Sequence, residues 1–292
     1  MFPRFYVADL CLAARIILKM PPYPNLISDS LLINETVALL EMFGGTASAV
    51  RVVDYVMNIR GAQPSMAKLL VQDLIDRDPR LRLVEDNVEL VQNVFDTKTL
   101  LETDFVVFDL ETTGAKAPPC RVIEIGAFRV KDGKIVEQFH SLVNPTMPIP
   151  AFIAALTGIS DDMVKSAPVF SDVAEGFLKF IGSSVLVAHN AGFDMHFLNH
   201  EISLIYGEYR VVNPCLCTVQ LSRKLLPQIE NHKLKTLAEH YSVALINHHR
   251  AGDDAKATAE IFINLLEMLS STGLEDIASI KKFSRARGAY VG

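Results

Sequence analysis

The run FVVFDLETTG, Phe105 to Gly114, limits the fold more than any other stretch of this chain. Its first four residues, Phe105 to Phe108, are apolar and rich in valine and aromatics, and read as a buried strand. Asp109 and Glu111 follow at its end. Two residues apart on an extended backbone, their side chains share one face and can point into one cleft. Two carboxylates at the end of a buried strand are expensive to desolvate, and a hard divalent cation offsets that cost. Asp-x-Glu on its own is common and decides little.

Two further blocks place an acid beside a buried element. In VLVAHNAGFDMHFL, Val185 to Leu198, Val185 to Ala188 reads as a strand, Asn190 and Gly192 suit a turn, and Asp194 opens a helix bearing Phe197 and Leu198. In HHRAGDDAKATAEIFINLL, His248 to Leu266, Asp254 precedes a helix whose Ala257, Ile261, Phe262, Leu265 and Leu266 pack inward. His249 lies five residues before Asp254, in the loop entering that helix. Taken singly, each acid also fits as a helix cap.

In this order and with these flanks the three blocks resemble the DEDDh 3′–5′ exonucleases, the family of the proofreading epsilon subunit of bacterial DNA polymerase III and of RNase T. The first family motif is Asp109 and Glu111, the second is Ala188 to Asp194, and the third is His249, Ala251, Asp254 and Ala255. VIEIGAF at Val122, LTGIS at Leu156 and LKTLAEH at Leu234 add to the likeness, which runs from residue 103 to 270. The sister subfamily carries a tyrosine one residue nearer the last aspartate, where this chain has Arg250. The resemblance implies an α/β, ribonuclease H-like domain: a five-stranded mixed sheet flanked by helices, with strands starting near Phe105, Val122, Ile135, Val185 and Cys217. It also implies a phosphodiester hydrolase that releases nucleoside 5′-monophosphates from a nucleic-acid 3′ end. Asp109, Glu111, Asp194 and Asp254 would hold two Mg2+ ions, with Mn2+ as a substitute, and His249 would be the general base. Leu110 and Thr112 would touch the terminal nucleotide. His248 would point away from His249 in a simple loop. DNA is the expected substrate, in proofreading or repair with a polymerase or repair partner. An exoribonuclease of the RNase T kind, or a nucleic-acid-binding protein with a vestigial site, are the alternatives.

With 292 residues, half of them apolar, the chain has room for two domains. The boundaries read as 1–98, a smaller helical domain; 99–272, the exonuclease domain; and 273–292, a tail. In the first part Glu35 to Phe43 reads as a helix. Ala47 to Arg60 shows a helical stripe with Thr46 as N-cap and Gly61 as stop. A second stripe runs over Ala67 to Arg77. LRLVEDNVELV then alternates, with a turn at Asp86-Asn87. This order is that of a winged helix, but the polar face of Ala67 to Arg77 carries Lys68, Gln72, Asp73 and Asp76, a mixture that does not favour phosphate contact.

The net charge of −6 argues against a broad basic nucleic-acid surface, an objection that a cation-filled acidic site weakens. Lys281, Lys282, Arg285 and Arg287 form one local basic strip. The apolar stretch Phe5 to Leu18 is broken by Asp9 and Arg15 and is too short to span a bilayer. Four cysteines without paired CxxC motifs read as reduced thiols, and a cytoplasmic protein with no membrane contact is expected.

Overall fold

The computed structural model describes residues 23–76, 78–91, 99–100, 102–274 and 276–285. Phe5 to Leu18, Cys11, Arg77 and Arg287 lie outside the described residues. The chain forms two compact units, one from the chain up to Leu90 with Tyr206–Tyr209, the other from the rest.

The first unit runs β1 Leu26–Ser28, α1 Leu31–Met42, β2 Thr46–Ser48, α2 Ala49–Val56, α3 Pro64–Ile75, β3 Leu81–Val84 and β4 Asn87–Leu90. Strands β2, β4 and β3 form one antiparallel sheet in that order, and Leu39, Leu40, Val52, Val53, Val71 and Val88 make a core under it. Three helices with a strand after the first and a closing hairpin are the winged-helix arrangement. Two local readings need correction. Thr46 is a strand residue; Ser48 caps α2, its Oγ accepting from the Arg51 N–H at 3.3 Å, and α2 ends at Val56. The hairpin turns at Glu85-Asp86, with Glu85 at φ 54°, because Asn87 is already held in register by Ser48 and Val84. That third strand, invisible to a hairpin pattern, selects the turn.

The second unit holds a five-stranded sheet in the order β10-β8-β5-β6-β7: β5 Phe105–Thr112, β6 Val122–Lys131, β7 Lys134–Leu142, β8 Val185–Ala188 and β10 Cys215–Cys217, with the short β9 Tyr209–Val211 outside it. β5 runs parallel to β8, β8 parallel to β10, and β6 antiparallel to both its neighbours. The helices are α4 Ala151–Thr157, α5 Asp161–Val164, α6 Phe170–Ile181, α7 Gly192–Tyr206, α8 Thr218–Leu225, α9 Leu234–Tyr241, α10 Ala251–Ser271 and α11 Ile277–Arg285. This is the ribonuclease H-like mixed sheet read from the sequence. The segment expected as a tail instead carries α11, whose Ile277 and Ile280 are buried in the same core as α10. Lys281, Lys282 and Arg285 are thus part of a packed helix. No helix among the described residues is long and apolar enough to cross a membrane.

Alternation along β5 sorts its side chains. Phe105 and Val107 join the α10 core, with Phe105 edge-on to Phe262 at 5.0 Å, whereas Phe108 turns to Phe177 of α6 at 6.1 Å. Asp109 and Glu111 continue the Phe105 face and so look toward α10. Gly126 sits opposite Asp109 in β6. A Cβ there would stand 2.3 Å from the carbonyl oxygen of Ala251, so only glycine lets the first turn of α10 lie on the sheet. Gly126→Ala should push α10 outward at a cost of about 1–3 kcal/mol, the usual range for overpacking. Urea unfolding of the two proteins measures this; an unchanged midpoint would show that the helix start is free to move.

Candidate active site

The parallel partner of β5 stops early. β8 is in register with Phe105 to Val107 only, so the following residues of β5 have no strand on that side. This is the crevice beyond the carboxyl ends of parallel strands where α/β sheets bind ligands. The Leu110 N–H, left without a strand partner there, donates to Asp194 Oδ1 at 3.1 Å. That bond brings the first turn of α7 to the end of β5. A pocket of about 430 Å³ opens here, lined by Asp109, Leu110, Glu111, Thr112, Asp194, His248, His249 and Asp254, with Phe152, Ile153 and Leu156 of α4 along one wall.

All seven residues singled out in the sequence therefore reach one pocket. Carboxylate oxygens of Asp109, Glu111 and Asp254 lie within 4.8 Å of one another. Asp194 stands outside that trio and is tied in through Leu110. Asp254 does not precede its helix: α10 starts at Ala251 with Arg250 as N-cap, so Asp254 sits in the first turn. Leu110 is buried and lines the pocket. The Thr112 hydroxyl donates to the Gly114 carbonyl at 2.7 Å, which leaves it only as an acceptor toward the cleft.

His248 corrects the sequence reading. It does not point away: its Nδ1 lies 3.0 Å from Asp254 Oδ2, and its ring stacks on His249 with centroids 4.0 Å apart. The reason is His249 itself, at φ 68°, a left-handed backbone that brings consecutive side chains to the same side. The His249 N–H also donates to Asp254 Oδ2 at 3.0 Å. No pattern in HHRAGDD announces a left-handed residue. Two other residues escaped notice. Phe152, 68% exposed, and Leu156, 50% exposed, stand one helical turn apart at the pocket wall. The i, i+4 spacing was legible, but nothing marked the face as open. His189 lines the cleft too, with Nδ1 2.9 Å from the Thr218 hydroxyl.

The acids crowd one another at the floor of the pocket. Burial first, then Asp194, Glu111 and Asp254, drive Asp109 well above its ordinary value. Burial, then Asp254 and Glu124, push Glu111 up to about 8 against a smaller pull from Arg250. Burial takes Asp194 to about 7 although the Leu110 amide opposes it. Such a set of crowded oxygen donors fits hard divalent cations, which replace the protons. His249 moves the other way: burial and the neighbouring His248 hold it below its ordinary value, against Asp254.

A carboxyl that keeps its proton longer in the folded chain than in the unfolded one stabilises the fold at low pH and loses that contribution as pH rises. For Glu111 the loss falls between 4.5 and about 8, and for Asp194 between 3.8 and about 7. Metal-stripped protein should thus lose thermal stability across that interval, and Glu111→Gln should flatten the decline. Melting curves in chelator at several pH values check this; identical slopes for the two proteins would contradict the crowding.

The comparisons agree with the geometry. A protein-family model described as Exonuclease, that of RNase T, matches residues 106–262. The DNA polymerase III PolC-type of Caldanaerobacter subterraneus subsp. tengcongensis is 46% identical over 198 residues, 68% of this chain but 14% of the polymerase. The PolC-type enzyme of Bacillus subtilis is 40% identical over 193 residues, 66% of this chain and 13% of that one. The chain thus spans about a seventh of the length of these curated relatives. Exonuclease X, solved in complex with 5′ overhanging duplex DNA, superposes with a TM-score of 0.51 at 28% identity, over 62% of this chain and 99% of that one. Matched over more than half its length, this chain belongs to the RNase T exonuclease family.

Proposed function

We propose that the protein removes nucleoside 5′-monophosphates from DNA 3′ ends, with Asp109, Glu111, Asp194 and Asp254 as ligands for Mg2+ and His249 as general base. The observation that carries this reading is the trio of carboxylates within 4.8 Å of one another beside His249 in one pocket. Two divalent cations bound by these acids would acidify the attacking water and offset charge on the leaving oxygen, and Mn2+ suits the same oxygen donors. The side chains do the rest. His249, held neutral at physiological pH by burial and by His248, can accept the proton of that water. Phe152 and Leu156 offer an apolar wall against which unpaired bases can stack, with Leu110 beside the terminal one.

DNA is preferred because the PolC-type relatives are DNA polymerases and exonuclease X was solved on DNA. The setting we propose is proofreading or repair in the cytoplasm, beside a polymerase or repair partner, in keeping with the DNA polymerase relatives. We assign 99–272, with α11, to catalysis and 1–98 to a separate winged-helix-like domain. The exposed face of α3 presents Met66, Leu69, Gln72, Asp73 and Asp76, and Lys68 is tied to Asp86 at 3.2 Å. That surface suits docking to a protein better than contact with phosphates.

Chelation by EDTA should abolish activity, and Mg2+ or Mn2+ should restore it. Single- and double-stranded DNA and RNA, each labelled at one end, report polarity and sugar preference together. Shortening from the 5′ end, or turnover of RNA alone, would overturn the assignment.

His249→Ala should lower kcat on the order of 10²–10⁴-fold, the usual contribution of a general base. Mg2+ affinity, measured by calorimetry, should survive, whereas Asp109→Asn should lose both. Loss of metal affinity in His249→Ala would make the imidazole a ligand rather than a base.

A further inference from the structure

A fifth acid, Glu124, stands directly across from Glu111 in the β5–β6 register and faces the same way. It is fully buried, yet it behaves unlike Asp109, Glu111 and Asp194. Burial alone would raise its carboxyl. Bonds from His140, Arg250 and the Ala251 amide outweigh that and hold it down at about 2. The geometry is complete: His140 Nε2 at 2.8 Å, Arg250 Nη2 at 2.7 Å and Nε at 3.1 Å, and Ala251 N–H at 2.8 Å. With donors on both oxygens, Glu124 has little left to offer a cation. Gly252 makes room for this arrangement, since a Cβ there would come 3.3 Å from His140 Cδ2.

Two of the three donors belong to Arg250 and Ala251, the residues that open α10, and His249 immediately precedes them. His249 is left-handed at φ 68° and its N–H is spent on Asp254. The corner is therefore pinned on one side to Asp254 and on the other to Glu124. We propose that Glu124 and Arg250 are positioning residues for His249: their forked ion pair fixes the chain direction into α10, and with it the face that the imidazole shows to the cleft. This inference rests on His249 being the base.

The test is a set of double-mutant cycles on the full chain. Glu124→Gln, Arg250→Gln and both together are made with His249 present and in His249→Ala. kcat, KM and single-turnover rate on a single-stranded oligonucleotide are measured in Mg2+, with melting curves for each variant. Each single change should lower kcat by about 10–100-fold, the range seen for residues that orient a reacting group, with KM little altered. The double variant should lose no more than the worse single one. In His249→Ala the same changes should cost almost nothing further, since they act through the missing ring. Equal losses in both backgrounds, or losses that multiply, would overturn the proposal. Arg250→Gln takes its arginine from a buried carboxylate and can unfold the protein. Glu124→Gln then decides, because its amide oxygen still accepts from Ala251 and the released Arg250 is partly exposed. A near-normal rate for His249→Ala itself would sink the general-base reading instead, and is a separate result.

Discussion

The early end of β8 organises this molecule. Where a parallel neighbour would have continued, β5 is left with an unpaired backbone amide at Leu110, and an aspartate from another element takes it. The same truncation leaves Asp109 and Glu111 at an open crevice rather than inside a three-strand stack. Buried polar backbone groups must find partners. Here that requirement helps to bring α7 and its carboxylate to the site.

Crowding like charges there is unfavourable for the fold alone. The stability of the unit comes from elsewhere, chiefly the apolar contact of α10, α9 and α11 with one face of the sheet and of α6 with the other. These contacts hold the acids in place while burial raises their affinity for protons or cations. A close backbone approach, Ala251 against Gly126, then sets the height of α10 over the sheet, and hence how near Asp254 comes to Asp109. Packing and chemistry meet in that one glycine.

Glu111 and Glu124 show how environment separates two identical groups. They are cross-strand neighbours on one face, Glu124 fully buried and Glu111 half-buried at the pocket. Glu111 faces other acids and is pushed up to about 8, while Glu124 is enclosed by donors and held at about 2. One is free to trade its proton for a cation and the other is committed to an arginine. The difference arises from three donors that come from β7 and the start of α10, distant in sequence from residue 124.

The sequence by itself determined the catalytic fold, because strand and helix patterns follow from local alternation and apolar periodicity, which are written residue by residue. It also determined which acids and which histidine belong together, since their types, order and flanks resemble a known family. The winged-helix order was legible for the same local reason. Tertiary structure alone decided the rest. The hairpin turn moved to Glu85-Asp86 because a third strand holds Asn87; the supposed tail became a helix because Ile277 and Ile280 found a core to enter. His248 turned toward Asp254 because His249 adopts a left-handed backbone, and Glu124 became an anchor because Arg250 and His140 reach it through space. Each of these depends on which distant groups compete for a hydrogen bond or a cavity, and that competition has no local signature in the chain.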